Sequence, residues 1–315
     1  MNQVSSTTGR DKSLRLFDRQ RQLLRLLEEL GGRLGNLDFQ KLLFLYCQEL
    51  GDQAPYEFVP YRFGAFSFTS YADRRKLVER GLLEDDEKHW RITATGRKAA
   101  RGGGDRHLSA FAHRVSNLRG DRLIAETYRR FPYYAGRSEV AERLLEGDEE
   151  ALRRIEAERP QPESAQPLAT IGYEGLTLEA YLNKLLMAKV TVLCDVRWNP
   201  ISRKYGFSKG TLSRSCEGVG IRYEHLRELG IESTKRRSLE TQADYDALFA
   251  DYVRSTLPNQ GAALLQIRLW TKQGERVALT CYERLPEQCH RSHVAVAVAR
   301  ELSAKCDRTV RAVHL

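Results

Sequence analysis

Apolar positions change their rhythm along this chain. In the first half they recur at helix-face spacing, and in the second they gather into short solid runs with helical stretches between. Leu16, Phe17, Leu23, Leu24, Leu26 and Leu27 share one face of a helix predicted over 14–30, which Gly31, Gly32 and Gly35 interrupt. Asn36 or Asp38 is placed to cap a second helix carrying Phe39, Leu42, Leu43, Leu45 and Tyr46. A β-like run from Tyr56 to Phe63 ends at Gly64, and a third helix passes through Tyr71, Leu77 and Val78 to Gly81. Leu82 to Thr93 predicts a hairpin with a charged tip, and Thr93-x-Thr95-Gly96 starts a further helix. Helices followed by a wing-like hairpin predict a winged helix-turn-helix. Residues 105–159 continue as a charged helical connector, with faces at Leu108, Phe111, Val115 and Leu118 and at Leu123, Ile124, Tyr128 and Phe131. A Glu- and Arg-rich helix is predicted from Ser138 to Glu158.

PQPESAQP, residues 160–167, has the composition of a linker. From Leu168 strands and helices alternate, with strands predicted at Ala169–Gly172, Val190–Val196, Ile221–Leu226, Val277–Thr280 and Arg308–Leu315. A long helical pattern, Ala243 to Trp270, is broken near Pro258. The expected class is therefore α/β: an N-terminal winged helix-turn-helix over 14–104 and a C-terminal Rossmann-like, mostly parallel five-stranded sheet over 168–315. The loop after the first strand of that sheet lacks G-x-G-x-x-G, so no dinucleotide and no other cofactor is expected.

Charge and cysteine usage narrow the partners. A net charge of +9 favours a polyanion. The six cysteines are scattered, as a reducing cytoplasm allows and a secreted disulfide framework does not. The first residues lack the apolar core of a secretory signal, and no window resembles a membrane span. A cytoplasmic protein that binds DNA, modified or single-stranded forms included, and no membrane is the expectation.

The candidate chemistry collects at strand ends. VALTCYERLPEQCHRSHVAVAVAREL, Val277 to Leu302, reads as a buried strand, a polar turn at Pro286 and a helix opening at Cys289-His290-Arg291-Ser292. Open α/β sheets place ligands at such a junction, and a helix N-terminus favours anions. Taken singly, Cys281 would be a small core residue; the grouping of thiol, carboxylate, imidazole and guanidinium is what points to a site. Tyr173 and Glu174 follow the first strand of the sheet, Asp195 and Arg197 the second, and His225 the third; Cys281 and Glu283 follow the fourth. Parallel strands would bring all of them to one edge.

Four readings are open. Zinc on Cys281, Cys289 and His290, with Cys194 or Asp195 as the fourth ligand, is disfavoured: there is no C-x-x-C knuckle, and adjacent Cys and His are awkward for one ion. No metal is therefore expected. A reactive thiol at Cys289 would draw on the helix start and Arg291. A metal-free hydrolase would hold phosphate on Arg197 and Arg291, with Cys281 and Cys289 lining the ligand site. Asp195 or Glu283 would then act on water or sugar, and His290 or Tyr173 would move the proton. Trp198, Tyr205 and Phe207 would stack on an extruded base, and Arg203 and Lys204 would hold the strand. Base release is favoured over strand cleavage, because carboxylates are too few for a two-metal nuclease. The fourth reading is a non-enzymatic sensor of a nucleotide or modified base that signals to the winged helix. Asp195 is expected to serve activity and not folding.

Two resemblances add to this. LDFQKLLFLYCQEL, FVPYRFGAFSFTSYADRRKLVERGLL and WRITATGRKA resemble the winged-helix part of Panacea antitoxin-type domains. That resemblance implies a DNA- or partner-binding fold in phage defence or toxin–antitoxin biology, and no chemistry. On DNA, the basic Arg74, Arg75, Lys76, Lys88, Arg91, Arg97 and Lys98 are the candidate phosphate contacts, the alternative being a solvated face or one that docks on another protein. TIGYEG, CDVRWNPISRKYGFSK, GIRYEHLRELG and LTCYERLPEQCHRS resemble the bacterial domain-of-unknown-function 488 family. That family commonly has a small polar residue where Trp198 stands and an imidazole where Tyr173 stands. The resemblance thus implies a site, with Tyr173 in the place of a histidine, and names no reaction.

Overall fold

The computed structural model describes residues 16–102, 105–162, 164–236, 239–304 and 309–315. The start of the first predicted helix, residue 104 of the first predicted domain, Cys306, and Arg308 at the head of the last predicted strand lie outside them.

The first predicted domain opens with α1 (Asp18–Glu29), β1 (Arg33–Gly35), α2 (Asn36–Leu50), β2 (Val59–Tyr61) and β3 (Gly64–Phe66). It continues with α3 (Phe68–Glu79), β4 (His89–Arg91) and α4 (Ala94–Ala100). Several expectations change here because partners come from distant parts of the chain. Neither Asn36 nor Asp38 caps α2: the Asn36 amide donates to the Glu87 carbonyl at 2.7 Å, and Asp38 accepts from the Gly120 amide at 2.8 Å. Gly64 does not end a strand. At φ +85° it turns the chain back into the antiparallel β2–β3 pair, and a Cβ there would sit 2.5 Å from the Tyr128 ring. The 82–93 hairpin closes through the single bridge Leu83–Ile92, and its second arm, β4, pairs instead with β1. Thr93 does cap α4, accepting from the Gly96 amide at 3.0 Å.

Five helices follow: α5 (Arg106–Arg114), α6 (Gly120–Arg130), α7 (Pro132–Ala135), α8 (Ala141–Leu144) and α9 (Glu149–Ala157). The single helix expected to Glu158 is thus two. Gly147, at φ +80°, breaks it, and Asp148 recaps α9 by accepting from the Ala151 amide at 3.1 Å. Leu108, Phe111, Val115 and Leu123 share a buried cluster with Leu23, Leu42 and Trp90.

The second predicted domain runs β5 (Leu168–Gly172), α10 (Leu178–Met187), β6 (Val192–Asp195), α11 (Lys209–Gly218) and β7 (Arg222–His225). It ends with α12 (Gln242–Asp251), α13 (Gly261–Lys272), β8 (Val277–Cys281), α14 (His290–Ser303) and β9 (Ala312–His314). The strands form one parallel sheet in the order β7-β6-β8-β5-β9. β5, β6 and β8 are buried along their whole length, as solid apolar runs require. Residues of α10 and α11 pack on one face and residues of α12, α13 and α14 on the other. β8 enters between β5 and β6, so Gly172 pairs with Cys281 and Asp195 with Thr280. The ends that carry the candidate residues are therefore neighbours.

The two predicted domains meet at α10 and at the loop before α11, where the Tyr205 hydroxyl bonds the Phe68 carbonyl at 3.0 Å. The buried Glu179 accepts from the Ser67 hydroxyl at 3.1 Å and from the Thr69 amide and hydroxyl at 2.7 and 2.8 Å, all at the start of α3. No helix among the described residues is long and apolar enough to cross a membrane.

Candidate functional site

Asp195 ends β6 with no exposed surface, and four donors hold it. Arg197 gives its backbone amide at 3.1 Å, Nε at 2.8 Å and a terminal nitrogen at 2.5 Å, and the Tyr223 hydroxyl gives 2.6 Å. A buried carboxylate needs such partners, and these also make it part of the fold. The expectation that Asp195 serves activity alone is corrected on this ground. Burial opposes the Arg197 charge, but the hydrogen bond and charge of Asp195 outweigh it and raise the guanidinium pKa. The other terminal nitrogen of Arg197 reaches the Tyr173 hydroxyl at 2.9 Å and the Phe207 carbonyl at 2.8 Å. Tyr173 and Phe207 stack with centroids 4.3 Å apart, so Phe207 faces a protein ring and is buried.

A second constellation lies at the end of β8. The sulfur atoms of Cys281 and Cys289 and one ring nitrogen of His290 are all within 4.8 Å of one another. His290 Nε2 meets the Val196 carbonyl at 2.9 Å, and Nδ1 lies 3.9 Å from Cys281 Sγ. Since a carbonyl only accepts, Nε2 carries the proton and Nδ1 keeps its lone pair in the neutral ring. Cys281 Sγ also lies 3.3 Å from Glu283 Oε2, while Arg236 donates to Glu283 Oε1. Burial, then the neighbouring Cys281, raises the Glu283 pKa, with Arg236 working against both. The hydrogen bond from Cys289, followed by His290, lowers the Cys281 pKa; burial pushes Cys289 up.

Arg291 is buried and faces inward, donating to the carbonyls of Glu283 and, at 3.0 Å, Arg284. It clamps the β8–α14 loop and does not stand open to a phosphate. The same loop lies against the end of β5, where Glu174 accepts from the Arg284 amide at 2.9 Å. Gly172 is required there, because a Cβ would meet the Glu283 carbonyl at 1.9 Å.

Tyr173, Arg197, Trp198, Arg203, Arg236, Cys281, Tyr282 and Glu283 wall a cavity of about 330 Å³ at these strand ends. That is at the lower end of the roughly 300–1,000 Å³ of small-ligand sites. Cys289 and His290 are not in its wall, but both adjoin Cys281, which is. Other predicted residues serve elsewhere. His225 binds the Arg197 carbonyl at 2.8 Å, Lys204 the Tyr173 carbonyl at 3.2 Å, and Tyr205 the Phe68 carbonyl at 3.0 Å. Arg227 covers the Trp198 ring at 4.2 Å. Arg236, Tyr223 and Tyr282 were not singled out by the sequence. Arg236 is one of several basic residues in a polar loop, and nothing local ties it to Glu283.

In the first domain the basic set divides. Arg74 donates to the carbonyls of Asp86 and, at 3.2 Å, His89. Arg91 pairs with Glu84 at 2.9 Å, and Arg97 takes both oxygens of Glu28 at 2.6 and 2.7 Å. Arg75, Lys76, Lys88, Lys98 and, in the second domain, Arg203 are exposed.

Residues 177–298 match the family described as Domain of unknown function DUF488. The matched segment spans α10 to most of α14 and so contains Asp195, Arg197, Arg236, Cys281, Glu283, Cys289 and His290. Tyr173 lies just before it. No curated protein and no solved structure matches the chain.

Proposed function

We propose that the second domain is a hydrolase that releases a base from a nucleotide unit of DNA by cleaving the N-glycosidic bond. The first domain, read as a winged helix, would carry it to DNA in phage defence. This rests above all on Glu283, a carboxylate of raised pKa in the wall of a cavity that it shares with Arg197, Arg203, Arg236, Trp198 and Tyr282. Guanidinium groups suit phosphate, and aromatic rings suit an extruded base. Glu283 takes a proton from water as the new bond to the sugar carbon forms. The carbon–nitrogen bond breaks with its electrons going to the base, which gains a proton. The Tyr173 hydroxyl accepts from Arg197, a bond that does not use its O–H, and the base takes its proton from that O–H. Asp195 acts through Arg197, as a positioning residue.

The test is incubation of wild type and Glu283→Gln with single- and double-stranded oligonucleotides, modified and unmodified, followed by assay of free base and strand breaks. Wild type should release base, and Glu283→Gln should bind within a few fold while losing roughly 100-fold or more in turnover. If nothing reacts while nucleotide binds, a sensor replaces the hydrolase. One observation favours that second reading: Tyr205, in the loop whose Ser202 and Arg203 wall the cavity, bonds the Phe68 carbonyl at the start of α3.

A further inference from the structure

We infer that Cys281, Cys289 and His290 hold one zinc ion, with its fourth position open to the cavity beside Glu283. The donor set is the first ground. Two thiols and one imidazole are a soft combination that suits zinc. Their separations are the second. Zinc–sulfur bonds of about 2.3 Å and zinc–nitrogen bonds of about 2.0–2.1 Å put tetrahedral donors about 3.5–3.8 Å apart. The three donors here lie within 4.8 Å, and one sulfur–nitrogen pair is at 3.9 Å. Movements of about 1 Å close them on an ion.

The imidazole is the third ground. Histidine ligands donate their second ring N–H to a backbone carbonyl or carboxylate, which fixes ring and tautomer. His290 does this to Val196 at 2.9 Å, and so turns Nδ1 toward Cys281. The adjacency of Cys289 and His290 is no obstacle. Cys289 is extended, at φ −140° and ψ 132°, and His290 begins α14, so the backbone bends between them. All three ligands sit on the end of a strand or the start of a helix, and Arg291 clamps the loop between.

Charge closes the argument. Two thiolates and a neutral imidazole balance a dication, and the neighbouring Glu283 is balanced by Arg236. Cys194 and Cys216 are buried too, but the metal-capable cluster among the described residues does not include them. Cys281 reaches the cavity wall whereas Cys289 and His290 do not, so the open position faces the cavity. Three protein ligands with an open fourth position is the arrangement of catalytic zinc.

The experiment is elemental analysis of the full chain, prepared under reducing conditions, with cobalt(II) exchanged in as a spectroscopic probe. About one zinc per chain is expected, and the cobalt form should show tetrahedral absorption with thiolate charge-transfer bands. Cys289→Ser and His290→Ala should lose most of the metal. Glu283→Gln and Cys216→Ala should keep it. Wild type that retains below about a tenth of an equivalent after zinc loading and desalting overturns the site, as does a cobalt spectrum without thiolate bands. These readouts need no turnover. Metal-loaded protein that releases no base removes the hydrolase and keeps the zinc site, and metal-free protein that releases base does the reverse.

Discussion

Two buried carboxylates in this protein have nearly the same partners and different consequences. In the first domain Asp73 accepts from Arg19 at 2.6 Å, Gln20 at 2.7 Å and Tyr56 at 3.1 Å. In the second, Asp195 accepts from Arg197 and Tyr223. Asp73 ties α1 to α3 and to Tyr56. Arg197 goes on to Tyr173 and to the wall of a cavity at the edge of a parallel sheet. A buried Asp–Arg–Tyr set is therefore no sign of chemistry by itself. What the arginine does with its remaining donors decides.

The comparison can be broken by removing each carboxylate. The side chain of Arg197 is 6% exposed and that of Arg19 is 37% exposed. Asp195→Ala should therefore strand a buried charge and cost about 3–5 kcal/mol. After Asp73→Ala, Arg19 can turn to water, so the cost should be about 1–3 kcal/mol from the donors left behind. Denaturant titration of both variants measures this. Equal losses would show that the two sets are energetically alike.

The first domain also buries a cation with no carboxylate. Lys41 donates to the Ala65 carbonyl at 2.7 Å, and burial lowers its pKa from 10.5 to about 7. Above about pH 7 the unfolded chain then binds more protons at this position than the folded one does. The stability contribution of Lys41 rises with pH from there toward the unfolded value, and is least below pH 7. Relative to Lys41→Met, wild type should gain about 2 kcal/mol over two pH units in that window. Parallel stability–pH curves would place the Lys41 ammonium in water.

The smallest expected effect concerns DNA. Arg75 and Lys76 are exposed, whereas Arg74 is held by backbone carbonyls. Replacing Arg75 and Lys76 should reduce the log–log salt slope of DNA binding by about 2, and Arg74→Ala should not flatten it further. Binding that ignores salt would remove the first domain from DNA recognition.

Much of this was legible locally. The solid runs at Leu168, Val192 and Val277 mark buried strands, Thr93 and Thr177 mark helix starts, and each of these strands ends in, or one residue before, a polar or reactive side chain. The order of strands was not, since periodicity says nothing of neighbours. Nor was the fate of cations: Arg197 and Arg291 both read as phosphate ligands, yet Arg291 turns to two carbonyls of its own loop.

By itself, then, the sequence determined where the strands and main helices of the second half lie and which residues stand at their ends, because those depend on spacing within about ten residues. Only the tertiary structure decided that β8 lies between β5 and β6, that Arg236 meets Glu283, and that two thiols and an imidazole converge at the end of β8. Those contacts join residues that no local period relates, and packing of the whole sheet is what brings them within bonding distance.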